Sequence, residues 1–182
     1  MRSITRAITV TLLAVAMLAI TGGAAVARHT SIHDRNDANG VLDMKSVTVR
    51  HSSPKAAIWS IGTYKGWSVG RIWDRGFLFV NIDTMFGPPT EYYVLIRSTG
   101  RAVQARLFRD SASGNDRLIR SLSVWRWNQR RVAFTLPLRA MNWGPNRNFY
   151  RWSVITTMTS KVCPNVCLDA APNSGSVTQK RG

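Results

Sequence analysis

A series of short β-like runs, cut apart by turn residues, sets the limits on what this chain can fold into. The runs fall at residues 46–50, 56–61, 76–83, 91–97, 102–109, 120–127, 131–136 and 149–156. Ser52, Ser53 and Pro54 end the first, and Gly62 ends the second. Gly87, Pro88 and Pro89 separate the run at 76–83 from the run at 91–97, which is a strong hairpin signal. Val103, Ala105 and Leu107 share one face of their run, as do Val132, Phe134 and Leu136. The run at 76–83 is so apolar that it reads as a central strand, while Pro137 bars the run before it from extending as one. Residues 138–143 read as one helical turn or a loop. No stretch has apolar residues at a 3.6-residue period over a helix length. About eight strands at this spacing predict an all-β protein, an antiparallel β-sandwich of jelly-roll-like form.

The first 27 residues read differently. Arg2 and Arg6 precede an apolar stretch from Ala7 to Ile20, Gly22 and Gly23 break it, and Ala25, Val26 and Ala27 supply a small-x-small cleavage site. That order is a secretory signal peptide. The alternative is an uncleaved anchor, since the segment approaches the ~20 apolar residues a spanning helix needs. No later stretch reaches that length, so no transmembrane span is expected after cleavage. The domain boundaries that follow are 1–27 signal peptide, 28–40 flexible or ion-tied segment, 41–170 sandwich and 171–182 polar tail. The expected location is extracellular or envelope-associated.

Charge bounds the partners. The chain has 25 Lys and Arg against 9 Asp and Glu. Two of the basic residues and none of the acids lie in the signal, so the exported part carries +14. Such a balance favours polyanions: nucleic acid, anionic envelope polymers, acidic glycans or phospholipid head groups. Arginine bias of composition alone is the competing explanation. No specific nucleic-acid motif is present.

Cys163 and Cys167 are the two cysteines. In an oxidising compartment they read as a disulfide clipping a local turn. Asp34, Asn36, Asp37, Asn39 and Asp43, with Gly40 for a tight bend, form an oxygen-rich loop near the N-terminal end. Asp169 follows the cysteines and could be brought beside it if the chain ends meet. Asp34, Asp37, Asp43 and Asp169 are therefore the expected ligands of a structural Ca2+, which takes six to eight oxygens. The loop is not an EF-hand, because its spacing differs and no glutamate closes it. A solvated turn is the alternative.

Arg97, Arg106, Arg109, Arg120, Arg126 and Arg151 alternate with apolar residues and could share a basic sheet face. Solvated arginine stems are the alternative reading. Most of the seven tryptophans are expected in the core, with Trp67 and Trp143 the exposed pair. The expected ligand-binding residues are thus Trp67, Trp143, Arg106 and Arg126. Catalytic residues are not assigned. Asp83 and Glu91 flank one hairpin as a glycosidase pair would, but turn formation explains them as well.

Several motifs together resemble a family. Asp34, Asp37, Gly40, Leu42, Asp43, Ser46 and Val47 open it, Phe79, Asp83 and Thr84 stand at its centre, and Tyr150 and Trp152 follow. Cys163, Cys167, Asp169, Ala171, Pro172, Asn173 and Gly175 close it. The set resembles small secreted domains of high-GC Gram-positive bacteria, mostly uncharacterised. The resemblance implies an exported β-sandwich and no particular activity.

The functional expectation is a secreted, non-catalytic binding module for a cell-envelope glycan or another anionic extracellular polymer. The alternatives are an extracellular polymer hydrolase, with Asp83 and Glu91 as its acids, and a secreted structural or protein-interaction module. Nothing in the sequence sets the oligomeric state. Mass spectrometry of the exported protein is expected to find Arg28 at its N-terminus; an intact Met1 in a membrane-bound product would refute cleavage.

Overall fold

The computed structural model describes residues 29–87, 90–143 and 148–181. The expected signal peptide and its expected cleavage site lie outside the described residues. Two antiparallel sheets pack face to face, which is the expected sandwich. The first sheet contains β1 (His29–His33), β2 (Met44–Ser53), β3 (Ala56–Thr63), β8 (Val124–Asn128) and β9 (Arg131–Pro137), in the order β1-β2-β3-β9-β8. The second contains β4 (Gly76–Asp83), β5 (Tyr92–Ser98), β6 (Val103–Arg109), β7 (Arg117–Leu122), β10 (Phe149–Ser160) and β11 (Cys163–Ala171), in the order β11-β10-β4-β5-β6-β7. β12 (Val177–Lys180) pairs with β10 beyond the end of β11.

Period-2 alternation sets which side chains meet between the sheets. β4 buries Leu78, Val80 and Ile82, β5 buries Tyr92, Val94 and Ile96, and β10 buries Tyr150, Trp152 and Val154. β2 and β3 answer with Val47, Val49, Trp59 and Ile61. Trp59 and Trp152 meet edge to face across the sheets, with ring centroids 5.1 Å apart. Phe134 of β9 stacks beside Trp59 at 6.0 Å. His51 of β2 and the Tyr150 hydroxyl, 3.1 Å apart, make a polar cross-sheet contact inside the core.

The expected hairpin of β4 and β5 forms in register, Phe77 opposite Arg97 through Ile82 opposite Tyr92. Three expectations need correction. The segment at 28–40 contains β1, an edge strand whose polar residues zip onto β2 from His29↔Arg50 to His33↔Ser46. The polar tail contains β12, held by β10 and by Gln179, which is buried despite its polarity. The single run at 120–127 is two strands in different sheets: Leu122 belongs to β7 against β6, while Val124 opens β8 against β9. Between them, the Ser123 carbonyl accepts from the Thr135 N–H at 3.0 Å, which turns the chain from one sheet to the other.

Two short turns complete the frame. The helix α1 (Val69–Ile72) is capped by the Ser68 hydroxyl, which accepts from the Arg71 N–H. A 3-10 turn spans Leu138–Ala140, as one of the two readings of that stretch expected. Among the described residues, no helix is long and apolar enough to cross a membrane.

Replacing Trp152 with alanine removes the partner of Trp59 from a fully packed core. The expected loss is about 3–5 kcal/mol. It would be read as a lowered urea midpoint at unchanged slope.

Candidate binding surface and metal centre

The outer face of the second sheet follows from the same alternation. With Leu78, Val80 and Ile82 inside, Phe77, Phe79 and Asn81 point outward. Pairing then aligns three outward rows. Thr157, Phe77, Arg97 and Gln104 lie across one row, and Ile155, Phe79, Leu95 and Arg106 across the next. Ser153, Asn81, Tyr93, Phe108 and Leu118 form the third. Four aromatic rings run diagonally through these rows. Phe77 and Phe79 are 6.5 Å apart, Phe79 and Tyr93 6.2 Å, and Tyr93 and Phe108 5.1 Å and nearly parallel. All four rings are partly exposed. The Tyr93 hydroxyl donates to Asp116 at 2.7 Å, and burial together with that carboxylate pushes its pKa up to about 12. Arg97 and Arg106 flank the strip, giving it a basic margin.

On the opposite side of this sheet, in the inward row of Tyr92 at the β6–β7 edge, Arg109 and Arg117 stand directly opposite each other. Like charges in that position repel. They line a cleft of about 210 Å³ together with Tyr92, Leu118 and Asn142. The Tyr92 hydroxyl accepts from the Asn142 N–H at 2.8 Å, which fixes the cleft floor.

The acids are occupied elsewhere. Asp83 Oδ1 accepts from the N–H groups of Met85 and Phe86, at 3.0 and 2.6 Å. Glu91 Oε2 accepts from the Thr84 N–H at 2.7 Å. Both carboxylates therefore hold the β4–β5 turn. Asp116, besides Tyr93, takes the Ser111 N–H at 3.1 Å.

A second feature gathers the acids at the chain ends. One ligand oxygen from each of Asp34, Asp37 and Asp169 falls within 4.8 Å of the others. The loop at 34–43 is tied down from several sides. The Tyr64 hydroxyl donates to the Asp34 carbonyl at 2.7 Å, and the Tyr64 N–H to the Asp43 carbonyl at 2.9 Å. The Thr156 hydroxyl donates to the Leu42 carbonyl at 2.9 Å. Asp169, on β11 opposite Thr156, accepts the Met44 N–H at 2.6 Å. The disulfide expected between Cys163 and Cys167 is formed. Its Cys163 sulfur packs over Gly40, where φ of +113° demands glycine and a Cβ would stand 3.6 Å from that sulfur.

Asp34 and Asp43 are buried, and none of their four carboxylate oxygens makes a well-formed hydrogen bond, although the Arg35 and Ala38 N–H groups respectively lie close enough to favour the ionised forms. Burial first, and the charge of Asp169 second, push each up to about 6. Burial also raises Asp169, against the relief given by the Met44 N–H. Of the four expected ligands, three form the tight group. Asp43 lies outside that set but feels the charges of Asp169 and Asp37.

The four expected ligand-binding residues separate. Arg106 lies on the outer face of the second sheet, beside the aromatic strip. Trp67 is not exposed: it is 2% accessible and part of the core. Arg126, on β8 of the other sheet, covers it with its guanidinium 3.7 Å from the ring centroid. That guanidinium also donates to the Trp67 and Gln129 carbonyls, both at 2.7 Å. Trp143 is half-buried, edge-on to Tyr150 and under Arg181 at 4.3 Å. The exposed indoles are Trp73 and Trp127. Sequence reasoning missed the strip of Phe77, Phe79, Tyr93 and Phe108. Its signal was the apolar content of both faces of 76–83, which was assigned to central burial alone.

Comparison of the chain with family models, curated proteins and solved structures gives no match in any of the three.

Arg126→Ala removes two charge-assisted hydrogen bonds and the cover of Trp67. It is expected to destabilise the fold by about 1–3 kcal/mol. Denaturant titration checks this, and an unchanged midpoint would show that Arg126 has no structural role.

Proposed function

We propose that this protein is an exported, non-catalytic module that binds an acidic polysaccharide on the outer face of its second sheet. The carrying observation is the diagonal strip of Phe77, Phe79, Tyr93 and Phe108 edged by Arg97 and Arg106. Flat aromatic rings offer stacking surface to sugar rings, and arginine forks pair with carboxylate or sulfate groups. Export is supported by the N-terminal signal pattern and is compatible with the formed disulfide. A hydrolase reading draws no support from Asp83 and Glu91, since both are engaged in one turn. A protein-binding reading is favoured by one observation, the exposed Val162, Val166 and Leu168 at the β11 edge.

The test is titration calorimetry with heparin and polygalacturonate as acidic probes and dextran as the neutral one. The acidic probes are expected to bind and dextran not to. Phe79→Ala and Arg106→Ala should each weaken binding by roughly an order of magnitude, as expected for loss of a stacking ring or a charge partner. Arg126→Ala should leave affinity unchanged. Equal affinity in all three variants and the parent, or tighter binding of single-stranded DNA than of either acidic glycan, would overturn the proposal.

A further inference from the structure

Buried carboxylates are found paired, hydrogen-bonded or holding a metal, because an isolated buried charge is costly. Asp34 is 6% exposed and Asp43 1% exposed; neither makes a well-formed hydrogen bond, the Arg35 and Ala38 N–H groups relieve them only in part, and Asp34 stands within hydrogen-bonding reach of Asp169. Lys65 lies near enough to favour the charged form of Asp43, but less strongly than burial and the charge of Asp169 oppose it. Asp37 is oriented from outside by Asn173, whose Nδ2 donates to Asp37 Oδ2 at 3.0 Å. Asp169 keeps one oxygen for the Met44 N–H. What remains is a set of carboxylate oxygens from two chain segments, the loop at 34–43 and β11, gathered in one place.

The spacing matches one ion. Two oxygens bound to a single Ca2+ at 2.3–2.6 Å can stand no more than about 5 Å apart. The oxygens of Asp34, Asp37 and Asp169 meet that limit at 4.8 Å. The donors are all hard oxygens, and the two cysteines are tied up in the disulfide, which disfavours zinc and copper. The ligands come from an irregular loop and a strand, a geometry that suits the variable coordination of calcium better than the strict octahedron of magnesium. We propose that Asp34, Asp37 and Asp169 bind a Ca2+ ion, with Asp43 completing the negative field around it. The ion would join the loop between β1 and β2 to β11, and so fasten the two sheets to each other at the chain ends. This inference stands independently of glycan binding.

The experiment is calorimetric titration and thermal melting of the chelator-treated protein with Ca2+, Mg2+ or EDTA. At about 5 mM Ca2+, roughly ten times a dissociation constant typical of extracellular modules, the melting temperature is expected to rise by about 3–5 °C. Asp37→Asn, at an exposed position that the fold tolerates, should weaken Ca2+ binding by about tenfold. Asp34→Asn should lose the calcium response yet melt no lower than the parent in EDTA, because it removes one of the mutually repelling charges. Identical melting in Ca2+ and EDTA with no heat of binding would overturn the site. A full response to Mg2+ at the same concentration would overturn its assignment to calcium. Asp34→Asn melting well below the parent in EDTA would overturn the account of an uncompensated acid cluster.

Discussion

The contact of Trp59 with Trp152 is the constraint on which the rest of the sandwich rests. It fixes how β3 faces β10 across the core. Because side chains alternate, placing Trp152 inward settles the facing of every residue on β10. Hydrogen-bonded register then carries that choice sideways, from β10 to β4, β5 and β6. A slip of one residue would bury Arg97 and Arg106 and expose Val94 and Ile96. The aromatic strip is thus a consequence of the core: the outer face is what the inner face leaves over. Its four rings cover one another in part, which limits the cost of keeping them at the surface.

Electrostatics divides the molecule in the same way. Asp83, Glu91 and Asp116 satisfy backbone N–H groups and a tyrosine hydroxyl, and four more acids gather at the chain ends. Few acids are left to neutralise arginines on the sheet faces. The positive potential over the second sheet therefore survives at the surface, where a polyanion would feel it within a Debye length of about 8–10 Å. Arg126 shows that charge and burial must be read together. Its sequence position resembles that of Arg106, yet it is spent on Trp67 and two carbonyls, and burial lowers its pKa.

Strands with an apolar face were legible in the sequence, and β4 matches its predicted span, 76–83, residue for residue. β1 and β12 were not, because both are polar segments that hold strand form through pairing with β2 and β10 rather than through their own pattern. The change of sheet at Ser123 was hidden for a related reason. Leu122 and Val124 continue one alternation, and only their partners in β6 and β9 distinguish two strands. Local pattern also misjudged Trp67, which sits in a Gly-rich stretch that reads as a loop but is roofed by Arg126 from a strand 59 residues away. Asp34, Asp37 and Asp169 were legible as chemistry, since hard oxygens near both chain ends suggested one site. Their meeting depended on long-range facts, the β10–β11 register and the packing of Cys163 over Gly40.

The acid cluster and the aromatic face lie at different places on one sheet, with β10 standing between Asp169 of β11 and Phe77 and Phe79 of β4. On β11, Asp169 points between the sheets while Leu168 and Ala170 fall on the opposite side, paired with Thr157 and Ile155 of β10. Those two β10 residues begin the outward rows that lead to Phe77 and Phe79. The pairing of β11 with β10 is irregular near Ser160, and Val162, Val166 and Leu168 are exposed. An interaction that pins Asp169 therefore fixes the register of β11, and with it the side of the sheet on which Leu168 lies. Repulsion among Asp34, Asp37 and Asp169 works against that pin, whereas a cation among them would turn it into an attraction. The Met44 N–H and the disulfide hold the strand from two directions, but neither neutralises the carboxylates. The charge balance of this one corner thus bears on how firmly β11 is held at the edge of the second sheet.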